Sequence, residues 1–283
     1  MKGREWLIHR LLVVVAFSSL SLLGLIAVFI FAGGIPIMAQ VGLGEFLAGT
    51  RWAPTRGHFG ILPMIVGSLW VTAGALVLGV PVALACAMYL SEVASEGVGR
   101  VVKPALELLA GIPSVVYGFL GLVLLVPLIR QFLGGPGFSV LAAACVLAVM
   151  ILPTVTSVSY DALRAVPPTY REGSLALGAT RWQTISMSVL PAARSGILAG
   201  VILGMGRAVG ETMAVIMVAG NATLVPVSPL DPVRTLTSNI ALELGYAAGK
   251  HREALFATGV VLFLIIMVLN LVAGAVAGRG KSR

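Results

Sequence analysis

The chain has 283 residues, 58% of them hydrophobic and 11% charged, with a mean hydropathy of +1.03. Soluble domains carry about 25% charged residues, so the composition excludes a water-soluble enzyme and indicates a polytopic membrane protein. A net charge of +8 suits nucleic acid or anionic lipid until the charges are placed. Cys86 and Cys145 both lie inside apolar runs, which argues against a disulfide framework or a thiol metal site.

Stretches free of Asp, Glu, Lys and Arg cover Leu11–Gly44, Phe59–Ser91, Leu108–Ile129, Gln131–Tyr160 and Ala254–Gly278. A helix needs about 20 mostly apolar residues to span the hydrocarbon core. Crossings are therefore predicted near 11–33, 64–90, 106–129, 138–160 and 255–278, with a sixth near 196–220, apolar except for Arg207 and Glu211. The expected fold class is all-α: six transmembrane helices in a single permease-like domain over residues 1–283. The first run follows Lys2, Arg4 and Arg10, as a signal peptide would. Its apolar core exceeds the roughly 7–15 residues of a signal segment and no clean cleavage site follows, so it is read as a retained helix.

Within the third crossing, Gly111–Ile112–Pro113–Ser114 interrupts the helix, because Pro113 cannot donate and clashes one turn back. Ser114 and Tyr117 can then point into the bundle; a simple packing kink is the alternative. The loops 34–62 and 221–253 hold turn residues and few charges, with a short surface helix expected over Val233–Tyr246. Twelve Lys and Arg fall on the side of the two termini and the loop 161–195, and six on the other. The positive-inside rule then makes both ends cytoplasmic, and the excess charge needs no nucleic acid.

Loop 161–195 reads as two capped helices. After Pro167–Pro168, Thr169 to Glu172 fits a capping box, as does Thr180 to Gln183. Gly178 stands where a left-handed residue would end the first helix, and the second is expected to stop at Leu190, before Pro191. Leu175, Leu177 and Trp182 are left for something else to cover: either the segment is a solvated connector or it docks a cytoplasmic partner.

Glu172, Gly178, Leu190 and Pro191 fall at the spacing E-A-A-x3-G-x9-I-x-L-P, which resembles the signature loop of binding-protein-dependent ABC import permeases. The resemblance implies a type I importer permease fold whose loop seats in a groove of an ATP-hydrolysing subunit, with Glu172, Leu175, Gly178, Trp182, Leu190 and Pro191 as the coupling residues. The sequence departs from that pattern at Gly173, Ser174 and Ser188.

Arg207 lies eleven residues past Gly196, about 16 Å along a helix axis and close to the bilayer centre. An unpaired arginine there costs about 3 to more than 10 kcal/mol. Glu211 is four residues on, and on a continuous helix would share its face. Two arrangements follow: a self-neutralising ion pair, or Arg207 facing an anion path while Glu211 orients it. A proton relay through Glu211 is a third. Gly204, Gly206 and Gly210 clear bulk around the pair.

The run Gly206-Arg-Ala-Val-Gly-Glu-Thr-Met-Ala-Val215, the Gly220–Asn221 ending, and Gly111-Ile-Pro-Ser-Val-Val-Tyr-Gly-Phe119 are similar to the phosphate-specific permeases of that family, the PstC type more than its sister PstA type. That likeness implies a pathway at Arg207 and Glu211, beside which Ser114 and Thr212 are candidates. It also implies a bacterial inner-membrane assembly: a PstA-like second permease, two PstB-like ATP-binding subunits and an outside PstS-like phosphate-binding protein. No Walker A pattern occurs in the chain, so ATP and magnesium are expected on the partner. His9, His58 and His251 are dispersed, and neither a metal site nor a catalytic set is expected. A permease for sulfate, molybdate or tungstate, an intramembrane enzyme using Glu211 and a passive channel are the rivals.

Overall fold

The computed structural model describes residues 2–278. Met1 and the terminal basic residues Arg279, Lys281 and Arg283, which enter the orientation argument, lie outside the described residues. Among the described residues, six segments are long and apolar enough to cross a membrane: Ile8–Val41, Leu62–Val93, Ser114–Phe132, Val140–Arg164, Arg181–Gly210 and Lys250–Val272. They alternate in direction and define a cap end, where residues 42–61, 133–139 and 219–249 lie, and a loop end, where 94–113 and 165–180 lie.

Helix α1 (Lys2–Val41) runs past the expected end at 33, because Gly33 and Gly34 pack against Phe256 and Ala257 instead of turning. At the cap end follow α2 (Leu43–Ala48) and an antiparallel pair, β1 (Trp52–Ala53) and β2 (His58–Phe59). Helix α3 (Leu62–Met88) ends in a wide π turn over Tyr89–Val93. Helix α4 (Glu96–Gly111) is separate, amphipathic and without a buried residue. The third crossing therefore starts after Pro113, as α5 (Ser114–Leu120), a π turn and α6 (Val126–Phe132), and not at 106. Pro113 caps this crossing instead of kinking it. Tyr117 pins the junction, its hydroxyl donating to the Leu109 carbonyl at 2.6 Å.

The core lies along α7 (Val140–Arg164), which packs against α3, α5 and α10 (Leu190–Gly210). Gly196, Gly200 and Gly204 recur every fourth residue and set one face of α10 against Ala162, Val158 and Val155 of α7. Small residues at this spacing let two membrane helices approach backbone to backbone. Thr156 adds a bond across the bundle, donating to the Ala83 carbonyl of α3 at 3.2 Å.

The fifth crossing is not continuous. Helix α10 ends at Gly210, Glu211 is extended (ψ 130), and α11 (Met213–Val218) follows. Gly220 and Asn221 then both adopt positive φ, turning the chain into a loop whose Asp231 carbonyl accepts from the Val140 amide at 3.0 Å.

Helix α12 (Leu236–Glu243) replaces the expected surface helix over 233–246, and Leu236, Thr237, Ser238, Asn239 and Glu243 are buried. It is drawn inward because the Ser68 hydroxyl accepts from the Leu236 amide at 2.9 Å, and the Thr237 hydroxyl donates to the Glu211 carbonyl at 3.1 Å. Glu243 gathers the cap end. It accepts from the Trp52 indole at 2.8 Å and from Arg234 at 2.6 Å, and it lies 2.8 Å from His251 of α13 (Lys250–Gly278). Arg234 also donates to the Asn221 carbonyl at 3.0 Å and the Asn239 side chain at 3.0 Å.

Candidate functional site

Arg207 sits in the last turn of α10, half-buried, and donates to the Thr154 hydroxyl of α7 at 3.5 Å. The glycine contacts with α7 bring it there. Thr154 is ten residues before the end of α7, about 15 Å at 1.5 Å per residue, so the guanidinium lies near half depth. Gly206 and Gly210 face open space, whereas Gly204 takes up the helix contact.

Of the two arrangements open to Arg207 and Glu211, the ion pair is not formed. The helix stops at Gly210, so Glu211 leaves the face that a continuous helix would share with Arg207. Its carboxylate instead accepts from the Ala214 amide at 3.2 Å, which caps the break. Among the described residues the ion pairs join Arg100 to Glu96, Arg171 to Glu92, and Arg234 and His251 to Glu243; Arg207 is in none of them. Thr212 closes the same break, its hydroxyl donating to the Gly210 carbonyl at 3.2 Å. Ser114 is half-buried at the start of α5. Gly118 packs on Ala214, and α5 and α11 run the same way, so Ser114 and Gly210 both lie on the loop-end side of that contact. The four residues thus lie on one side of that contact, and neither the guanidinium of Arg207 nor the carboxylate of Glu211 is in an ion pair among the described residues. A fixed guanidinium there can grip two oxygens of an oxyanion at once.

At the loop end, α8 (Pro168–Ala176) starts on Pro168, with Pro167 as its flanking residue and no side-chain cap. The capping box expected from Thr169 to Glu172 does not form, because proline at the first helical position places Thr169 one residue inside the helix. The second box does form: Thr180 accepts from the Gln183 amide at 3.3 Å, and Gln183 accepts from the Thr180 amide at 2.8 Å. Gly178 has φ +84 with open space around it. Leu175, Leu177 and Trp182 are exposed, as is Glu172.

Helix α9 (Arg181–Thr184) does not stop before Pro191. A π turn over Ile185–Val189 carries it directly into α10. Leu190 is half-buried and Pro191 exposed within this unbroken rod. Two residues at which the sequence departs from the family pattern hold the arms together. Ser174 accepts from the Thr184 hydroxyl at 3.1 Å, and the Ser188 hydroxyl donates to the Tyr170 carbonyl at 3.3 Å.

One anchor had no local signature in the sequence. Arg171 of α8 donates to both oxygens of Glu92, at 3.0 and 2.7 Å, and to the carbonyls of Val166 and Leu163, each at 2.9 Å. The Glu92 hydrogen bond raises the Arg171 pKa above its ordinary value, against the opposing pull of burial. The partners are 79 residues apart, so only the fold brings them together.

Residues 79–280 match the family described as the binding-protein-dependent transport system inner membrane component. The probable ABC transporter permease protein YqgH of Bacillus subtilis is 42% identical, over 95% of this chain and 90% of that protein. The phosphate transport system permease protein PstC of Mesorhizobium japonicum is 36% identical over 91% and 85%, and that of Haemophilus influenzae 36% over 90% and 90%. Among solved structures, a bacterial alginate ABC transporter in complex with its alginate-bound periplasmic protein superposes with a TM-score of 0.70 at 19% identity, over 99% of this chain and 96% of that one. With that fold and those relatives, the chain belongs to the binding-protein-dependent transport system inner membrane components, the permeases of ABC importers.

Proposed function

We propose that the chain is one permease subunit of an ATP-driven importer of inorganic phosphate. The observation that carries this is a guanidinium at half depth with no carboxylate partner among the described residues, in a chain whose curated relatives include phosphate permeases. Arg207 would meet the anion, while Ser114, Thr212 and the Glu211 backbone shape the opening beside it.

The loop end faces the cytoplasm, with both termini on that side, as the basic residues there favour. The partners are a PstA-like second permease, two PstB-like ATP-binding subunits that hold ATP and magnesium, and a PstS-like binding protein at the cap end. Closure of the ATP-binding subunits pushes on α8 and α9. The crossings then shift as rigid bodies and expose the Arg207 level to one face at a time.

In proteoliposomes holding the assembled complex, uptake of labelled phosphate is expected to fall with unlabelled phosphate and to persist in excess sulfate, molybdate or tungstate. Competition by one of those anions instead would reassign the substrate. The docking role of the loop has its own test. Gly178→Val forces a branched side chain into a left-handed position, a strain of about 1–2 kcal/mol, and is expected to remove the ATP-binding subunits from the purified complex. Their unchanged co-purification would eliminate docking through this turn.

A further inference from the structure

Between α4 and the loop-end half of α7 lies a cavity of about 440 Å³, lined among others by Lys103, Glu107, Thr154, Ser157, Tyr160 and Asp161. Thr154, Ser157 and Asp161 stand at i, i+3 and i+7 on α7, hence on one face, and descend about 10 Å toward the loop end. The top rung, Thr154, is the residue that accepts from Arg207. At the bottom, the Lys103 ammonium sits 3.9 Å from the centre of the Tyr160 ring and, among the described residues, is in none of the ion pairs.

Ser157 is exposed although it belongs to a spanning helix. Hydroxyls and charges turned toward lipid are costly, so a polar wall at this depth faces water or a polar solute. Two cations with a hydroxyl ladder between them suit a tetrahedral phosphate, whose oxygens accept from every one of those groups. Glu107 and Asp161 line the same space and repel an anion, which keeps its stay short; a conducting site must release what it binds.

We propose that this cavity is a second phosphate site, with Lys103, Ser157 and Thr154 as its donors, taking the anion from Arg207 and releasing it at the loop end. The proposal rests on the phosphate-import function above. A free phosphate and a lipid headgroup share the chemistry, and the experiment separates them.

The sample is the full importer in proteoliposomes. Lys103→Gln is expected to lower the maximal rate of phosphate uptake about tenfold, equivalent to ~1.4 kcal/mol. The concentration of loaded binding protein that half-saturates uptake should move by less than about twofold, because entry at the cap end is untouched. Lys103→Arg should restore most of the rate, which a lost packing contact would not allow. In a second arm, Cys86 and Cys145 are replaced by alanine and Ser157→Cys is labelled with a charged thiol reagent from the loop side. Inorganic phosphate should slow the labelling, and Lys103→Gln should abolish that protection. Wild-type uptake by Lys103→Gln overturns the site, and so does labelling indifferent to inorganic phosphate. Labelling that follows the phosphatidylglycerol content of the vesicles, and not inorganic phosphate, overturns it in favour of a headgroup. Phosphate import with unprotected Ser157→Cys defeats the site alone; protection without phosphate import defeats the transport function alone.

Discussion

Replacing Arg207 by glutamine is expected to reduce phosphate uptake by at least about 100-fold, ~2.7 kcal/mol of lost stabilisation of the passing anion, while the complex still assembles. The side chain touches Thr154 but enters no ion pair among the described residues. Removing its charge therefore leaves no carboxylate stranded, and the fold has little reason to fail. Glutamine keeps a donor for Thr154, so the variant isolates the charge. Uptake assays beside co-purification of the partner subunits give the answer. Full uptake by an assembled Arg207→Gln complex would remove the guanidinium from the pathway. Glu211→Gln should be milder, because its carboxylate caps Ala214 and a glutamine oxygen can accept the same bond.

Glu243→Ala is expected to destabilise the cap end by about 3–5 kcal/mol, the usual cost of leaving one member of a buried ion pair uncompensated. Arg234 would remain largely buried, with its side chain 16% accessible and its carboxylate gone. The Trp52 indole would lose its acceptor as well. The effect should appear as a lower unfolding temperature of the purified complex and faster proteolysis in loops 42–61 and 219–249. Glu243→Gln retains the shape and one acceptor oxygen and should fall between the variant and wild type. An unchanged melting temperature in Glu243→Ala would show that the buried cluster is not what holds the two loops together.

The six crossings were legible because hydrocarbon imposes a length and excludes charge, and both leave their mark in a linear sequence. The ends were less so. The charge-free run from Leu108 suggested a crossing that began too early, since nothing in it shows that α4 and α5 part at Pro113. Gly33 and Gly34 read as a helix end, yet they serve close approach to Phe256 and Ala257. The break at Glu211 had only Gly210 as a local sign, and one of the bonds that hold it, from Thr237, comes from a helix 26 residues on. Arg207 stood out because a charge in an apolar run is conspicuous by itself. Glu243 and Arg171 did not, because charged residues in loops are ordinary. Their partners Trp52 and Glu92 lie 191 and 79 positions away.

The attachment of α8 has a mechanical corollary. This helix buries no residue of its own, so a push on its exposed tip would be absorbed by slippage were it held by apolar contact alone. Arg171 acts as a crankpin instead: one planar head clasps the terminus of the second crossing through Glu92 and that of the fourth through Leu163 and Val166. A push delivered at Leu177 would thereby reach two rods at once, and through Ser174 and Tyr170 the foot of the fifth as well.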